Sequence, residues 1–342
     1  MKKNEIEKLE SKCGIDTFSV RCKNEPALID STADYAPEYT CKVNKQDKHS
    51  FYAHLDDISD DANDNSIAAA TAIANCIAEM NCVKAIVTRV DFRTDFYDCD
   101  FENLENLNYM LNGLLSMILK GKNVKTTHDD SDGSITGFYF EKDGFGTNIY
   151  DKTKQQKTKK ERNKRTPIDK RIKTRVELRI KNRKFKPNEK YLVKCVLEIC
   201  ELLAMTTTKK TFNHFVNVST EKIWKRYNEE SVRKKKGKLS NCSRRMAVIG
   251  RCSDIICCRE IASAFLRKCG VKDIKKELYN LRSLNYFPDE CRADYIEYVK
   301  HIINGYIRYI AEELKEGGLL AYYYERLKKV VKPLDIRLED YF

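Results

Sequence analysis

Between Lys84 and about Met205 two hydrophobic periods alternate along the chain. KAIVTRVDFRTDFYD repeats with period two. Ile86, Val90, Phe92 and Phe96 fall on one face, and Arg89, Asp91, Arg93 and Asp95 on the other, the pattern of a half-buried strand. The period then lengthens. From about Glu102 to Lys120, Leu104, Leu107, Met110, Leu111, Leu114, Leu115 and Ile118 recur at helical steps and predict an amphipathic helix that Gly121 ends. After the turn-rich HDDSDGS, where His128 reads as a turn residue, ITGFYFEK and GTNIYDK predict a hairpin joined through DGFG. TKQQKTKKERNKRTP reads as an exposed basic loop. KRIKTRVELRIKN alternates again, with Ile172, Val176, Leu178 and Ile180 opposite Lys173, Arg175, Glu177 and Arg179. A second helix, about Asn188 to Met205, carries Leu192, Val196, Ile199 and Leu203.

The order β-α-β-β-β-α predicts an α+β fold: a mainly antiparallel sheet with its helices on one face and the other face open and charged. The period-two rule places Asp91, Asp95 and Glu177 on that open face, and puts Tyr150 on one side of its strand with Asn148 and Lys152. Before this unit, FSVRCK and HSFYAHL are expected as short strands. The acidic DDISDDANDNS then leads into an Ala-rich helix, roughly Ser66 to Met80, capped by Asn65 or Ser66. From Thr206 onward the chain reads as helical and basic, with Trp224 in a helix core and SVRKKKGKLSNCSRR as a linker or loop. SDIICCREIASAFLRKCGVKDIKKELYNLRSLNYF reads as helix, turn, helix, capped by Ser253 or Asp254 and ended by Gly270. That pair fits a helix-turn-helix or winged-helix unit, or a plain packed hairpin. Three regions follow: 1–83 with no assigned role, 84–205 as the sheet unit, and 206–342 as a mostly helical C-terminal domain.

Composition narrows the function. The 342 residues carry a net charge of +13 with 42% hydrophobic content, a globular basic protein whose expected partner is an anion, nucleic acid first. No apolar run reaches membrane-spanning length, and MKKNEIEKLESK is not followed by an apolar stretch, so no signal peptide, no membrane and a cytoplasmic location are expected. The 14 cysteines include no C-x-x-C pair and read as free, mostly buried thiols. His and Cys do not cluster at zinc-ligand spacings.

Three motifs carry candidate chemistry: RVDFRTD (89–95), IYDK (149–152) and RVELR (175–179). Together they suit phosphodiester cleavage. A tyrosine oxygen can attack phosphorus, and the transition state needs positive charge from Arg, Lys or a divalent ion. Asp91, Asp95 and Glu177 offer the oxygen ligands that Mg²⁺ or Mn²⁺ prefers. Lys152 is placed to lower the pKa of Tyr150 or to hold the scissile phosphate. Singly, each motif has a plain reading. Alternating Arg and Asp make cross-strand ion pairs, and Tyr150 is one of 19 tyrosines.

The ordered set R-h-D, then I-Y-D-K, a basic spacer and R-h-E-h-R resembles the rolling-circle replication initiators, the Rep proteins of small Gram-positive plasmids. More distantly it is similar to filamentous-phage initiators and the relaxases of conjugative elements. The resemblance covers roughly residues 84–205. It implies a palm-like nickase domain and DNA nicking at an origin, giving a 5′-phosphotyrosine and a free 3′-hydroxyl primer. It also implies Tyr150 as nucleophile and Asp91 and Glu177 as acidic metal-site residues, with Asp95, Lys152, Arg175 and Arg179 in support. The His-hydrophobic-His pair by which many tyrosine nickases hold their metal is missing here, which leaves the ligand set open. Origin DNA, double- and single-stranded, is the expected partner, with a host helicase and a second copy of the chain as further ones. The expected DNA contacts are Lys159, Lys160, Arg162, Lys164 and Arg165 in the basic run, and Lys275, Lys276 and Arg282, with Lys272 and Asn280, in the helical pair. The alternatives are a binding initiator without catalysis and a mobilisation relaxase.

Overall fold

The computed structural model describes residues 1–22, 40–43, 50–54, 85–121, 124–142, 144–161, 170–185, 189–233, 241–252, 255–282, 290–316 and 318–342. The strands are β1 (Ser11–Cys22), β2 (Thr40–Val43), β3 (Ser50–His54), β4 (Ala85–Tyr97), β5 (Lys125–His128), β6 (Ile135–Lys142), β7 (Phe145–Asp151) and β8 (Ile172–Phe185). They form one eight-stranded sheet in the order β2-β3-β1-β4-β8-β7-β6-β5, and every pairing is antiparallel. The helices are α1 (Lys3–Ile6), α2 (Phe101–Ile118), α3 (Lys152–Glu161), α4 (Glu189–Thr206), α5 (Lys209–Arg233), α6 (Asn241–Arg251), α7 (Arg259–Lys268), α8 (Ile274–Arg282), α9 (Arg292–Glu316) and α10 (Leu320–Val331). The protein is α+β, with a mainly antiparallel sheet followed by a helical C-terminal region. Among the described residues after β8 every regular element is helical.

The long strands β4 and β8 sit at the centre because both alternate over more than ten residues and can pair along their length. Their apolar face is covered by three helices: α2 against β6 and β7, α4 against β8, and α9 against β1. The contact with α9 is aromatic. Phe92 meets Tyr306 edge-on at 6.5 Å, and Phe96 stacks on Tyr298 at 5.6 Å. All four rings are fully buried, each contributing about 1.5–3 kcal/mol of apolar transfer. Tyr298 also donates its hydroxyl to Asn108 Oδ1 of α2 at 2.5 Å, so the two helices are joined beneath the sheet. A helix near the C-terminus thereby shares the core of the sheet.

Three expectations are corrected. First, the charged face is not open. Asp91, Asp95, Arg175 and Glu177 are all 5% exposed or less. The arginines lie flat against the acids, and α3 packs across β8 and β7. Second, the first part of the expected basic loop is the helix α3, and residues 162–169 lie outside the described residues. Third, α7 begins at Arg259 with Cys258 as its N-cap, while Ser253 and Asp254 lie outside the described residues. The Ala-rich segment 66–80 lies outside them too. Gly270, at φ +75°, ends α7: its N–H bonds Arg267 O and that of Val271 bonds Leu266 O. Trp224 is partly buried against the core and stacks on Tyr227. The nine cysteines whose side chains are described are free, and seven of them are buried. Among the described residues no helix is long and apolar enough to cross a membrane.

Two features of the α9 contact are testable. Gly305 lets α9 approach β1, because a Cβ there would lie 2.6 Å from Cys13 Sγ. Gly305→Ala should lower stability by about 1–3 kcal/mol in denaturant melts, and adding Cys13→Ala should restore part of the loss. His301 shares a hydrogen bond of 2.7 Å with Ser11 Oγ and stacks on Phe96. Burial, reinforced by Arg308, pushes its pKa from 6.5 down to about 4. The unfolded chain therefore binds the extra proton between these values, and stability falls as pH drops from about 6.5 to about 4. His301→Gln should remove up to about 3 kcal/mol of that pH dependence, read from melts across the same window.

Candidate functional site

The site grows from the register of β4 on β8. Asp91 faces Arg179, Arg93 faces Glu177 and Asp95 faces Arg175, so each acid has a base directly across the ladder. Arg175 grips Asp95 with two parallel bonds, Nε to Oδ1 at 2.5 Å and Nη2 to Oδ2 at 2.8 Å. Its third nitrogen reaches Asp16 Oδ1 at 2.7 Å. Arg179 Nε lies 3.0 and 3.1 Å from the two oxygens of Asp91, and Arg89 Nε adds a bond of 2.8 Å. Arg93 donates to Asp95.

Asp16 is the residue that reading the motifs missed. In β1, Ile15 pairs with Phe92 and Thr17 with Asp91, which leaves Asp16 as the extra residue of a bulge. The bulge aims its carboxylate at the acids of the central strands. Carboxyl oxygens of Asp16, Asp91 and Glu177 all lie within 4.8 Å of one another. No sequence signal marks a bulge here, because GIDTF continues an ordinary alternation. Asp95, expected with the metal ligands, lies outside this group, since its carboxylate is committed to Arg175 and Arg93.

Glu177 joins the carboxylates to the tyrosine. Tyr150, opposite Arg175 on β8, donates its hydroxyl to Glu177 Oε1 at 2.6 Å. Asn148 donates to Oε2 at 3.0 Å from the same side of β7. Burial, then the charge of Asp16, pushes Glu177 up to about 7. Burial and the Glu177 charge hold the Tyr150 hydroxyl well above its ordinary value, so it is a neutral donor. Lys152 was expected to lower that pKa or to hold the scissile phosphate; the pKa itself is raised. On the β6 side Tyr150 faces Gly137, where a Cβ would meet Ile149 O at 2.7 Å and Tyr150 Cβ at 3.2 Å.

The end of IYDK has a clear local logic. The strand stops at Asp151, whose Oδ1 accepts the N–H of Lys154 at 3.0 Å and so caps α3. Lys152 is therefore the first residue of a helix and not a strand neighbour of Tyr150. It is still brought close, with Nζ 5.8 Å from the centre of the Tyr150 ring and only 1% of the residue exposed. Lys154 reaches Ser134 Oγ at 2.5 Å, with Asp129 and Asp132 beyond, so the turn after β5 anchors the start of α3. His128 in that turn bonds Gly133 O and Thr126.

Of the expected DNA contacts, Lys275 and Lys276 are exposed on α8, as are Lys272 just before it and Asn280 within it. Arg162, Lys164 and Arg165 lie outside the described residues, as do the side chains of Lys159, Lys160 and Arg282.

The donor set suits a hard divalent ion: three carboxylates from three strands, all oxygen, close enough to share one cation. Each already accepts a hydrogen bond, from Arg175, from Arg89 and Arg179, or from Tyr150 and Asn148. A carboxylate oxygen has a second lone pair, so these bonds leave room for a ligand bond.

No protein-family model and no curated protein matches the chain. Among solved structures it is similar to a rolling circle replication initiator protein from Geobacillus stearothermophilus, with TM-score 0.29 and 12% identity over 57% of this chain and 83% of that one. It is also similar to the complex between the prokaryotic ubiquitin-like protein Pup and its ligase PafA, with TM-score 0.25 and 9% identity over 97% of this chain and 71% of that chain. At such scores neither likeness bears on the chemistry of this chain.

Arg175 is fully buried and neutralises acids from two other strands. Arg175→Met should leave both carboxylates without their shared counter-ion and cost about 3–5 kcal/mol, measured by denaturant melts, whereas Arg179→Met, at the more exposed edge, should cost clearly less.

Proposed function

We propose that this protein is a replication initiator that nicks one DNA strand with Tyr150. The observation that carries the reading is the bond of 2.6 Å from the Tyr150 hydroxyl to Glu177, inside a group of three carboxylates. The sequence motifs IYDK and RVELR point the same way.

The chemistry follows from the side chains. Tyr150 Oη attacks the phosphorus of a phosphodiester while Glu177 Oε1 takes its proton. Burial raises the proton affinity of Glu177, which suits it to accept that proton. The new bond is tyrosine oxygen to phosphorus. The bond that breaks is phosphorus to the 3′ oxygen, which leaves with a proton from water as a free 3′-hydroxyl. The protein stays on the 5′ phosphate. Asn148 holds Glu177 so that its other oxygen faces the phenol. Lys152, beside the ring, supplies positive charge for the phosphate. Arg175 and Arg179 keep the acids in place. Asp16, Asp91 and Glu177 would hold Mg²⁺ or Mn²⁺, which would supply positive charge for the transition state. Origin DNA would be recognised through the basic helical region, with Lys275 and Lys276 among the contacts. A host helicase and a second copy of the chain are further partners of this reading. A mobilisation relaxase would use the same chemistry.

A second reading is favoured by the low exposure of Glu177 and by the partners its oxygens already have. In it the network only rigidifies the sheet of a non-catalytic origin-binding protein.

A supercoiled plasmid carrying the gene and its flanks, incubated with protein and Mn²⁺, separates the two. Nicking should give relaxed circles with protein on the 5′ end. Tyr150→Phe should abolish that covalent product, and Glu177→Gln should slow nicking by about 10²–10⁴-fold. Asp16→Asn should raise the Mn²⁺ concentration needed. Tight binding to the flanks with no nicking would leave the second reading.

A further inference from the structure

A groove of about 530 Å³ lies away from Tyr150, between α5 and α7 and beside the start of α9. Asn213 and Asn217 line one wall, one turn apart on α5. Arg259, Ser263 and Arg267 line the other, at four-residue steps on α7. The arginine Cα atoms are therefore about 12 Å apart along that helix. Ser263 bonds back to Arg259 O, and Val216 and Ala264 form an apolar floor.

The two arginines and two asparagines of this lining differ from several paired arginines of the protein. Arg89, Arg93, Arg175, Arg179, Arg245 and Arg326 each engage a carboxylate. Arg259 and Arg267 make no ion pair or side-chain hydrogen bond among the described residues, and neither do the amides of Asn213 and Asn217. All four are exposed and line one concavity. Glu260, also in the lining, accepts the N–H of Arg292 at 3.0 Å, and the two arginines leave the groove net positive. Two guanidinium forks fit phosphate oxygens, the asparagine amides fit the edge of a base, and the volume fits one or two nucleotides.

We infer that this groove is a binding site for a nucleoside phosphate, either a segment of a nucleic acid strand or a free nucleotide. The site does not depend on Tyr150 or on nicking. Arg259 and Arg267 take the phosphates, and Asn213 and Asn217 take the base edge.

The test uses the full chain in chelator, so that no cleavage occurs, with a fluorescein-labelled single-stranded oligonucleotide, 5′-dAMP and inorganic pyrophosphate as probes. The Arg259→Gln/Arg267→Gln pair should weaken oligonucleotide binding by about tenfold or more and reduce the salt slope by about 1.4. Arg259→Lys/Arg267→Lys should lose less, since it keeps the charge without the fork. A control pair, Lys328→Gln/Lys329→Gln, should change little, and unchanged melting temperatures should show that the variants fold. Loss for the oligonucleotide alone identifies a strand as the ligand; parallel loss for 5′-dAMP or pyrophosphate identifies a free nucleotide site. Equal affinities for the arginine variants and the parent, or an equal loss in the control pair, would overturn the inference.

Discussion

Arg175 has no exposure to solvent, and its guanidinium joins Asp95 of β4 to Asp16 of β1 from its own place on β8. A buried charge is tolerated only when it is paired and hydrogen-bonded, and that constraint organises the whole charged face. Three strands must hold a fixed register for one planar fork to reach two carboxylates. Asp91 repeats the arrangement with Arg89 and Arg179. A sheet face that alternation alone would leave wet is in this way closed without becoming apolar.

The same network sets the electrostatics of the tyrosine. Glu177 sits between Asn148 and Tyr150 with Asp16 nearby, and burial raises its affinity for a proton. The phenol therefore meets an acceptor whose proton is in balance near neutrality, while Arg175 limits how far that balance is pushed. Structure and candidate chemistry depend on the same residues. A change at Asp16 or Arg175 would alter the fold's polar core and the tyrosine's surroundings together.

The helical region has a divided role. α9 is committed to the sheet, since Tyr298 and Tyr306 pack on Phe96 and Phe92. α5 and α7 leave a polar groove whose arginines have no ion pair among the described residues, and α8 turns Lys275, Lys276 and Tyr279 outward. The basic character of the chain is thus uneven: Arg89, Arg93, Arg175 and Arg179 on the sheet are neutralised by acids, while Lys275, Lys276, Arg259 and Arg267 are exposed on helices.

The sequence by itself determined β4, α2, β6, β7, β8 and α4, though neither β5 nor α3, because their periods of two and of three to four are set by local geometry and need no partner. It also determined that Asp91, Asp95, Arg175, Glu177 and Arg179 share one face, and that Tyr150 lies on a strand with Asn148 on the same side. It did not separate Asp95 from the metal-type group, since that depends on which acid Arg175 reaches across the ladder. It gave no sign of Asp16, because a bulge is decided by how β1 fits β4 and not by the residues of β1. Lys152 looked like a strand neighbour of Tyr150 until Asp151 capped a helix there. That α9 would lie under the sheet was equally hidden: the aromatic residues of α9 are spaced for a helix face, and only packing chooses the face they meet.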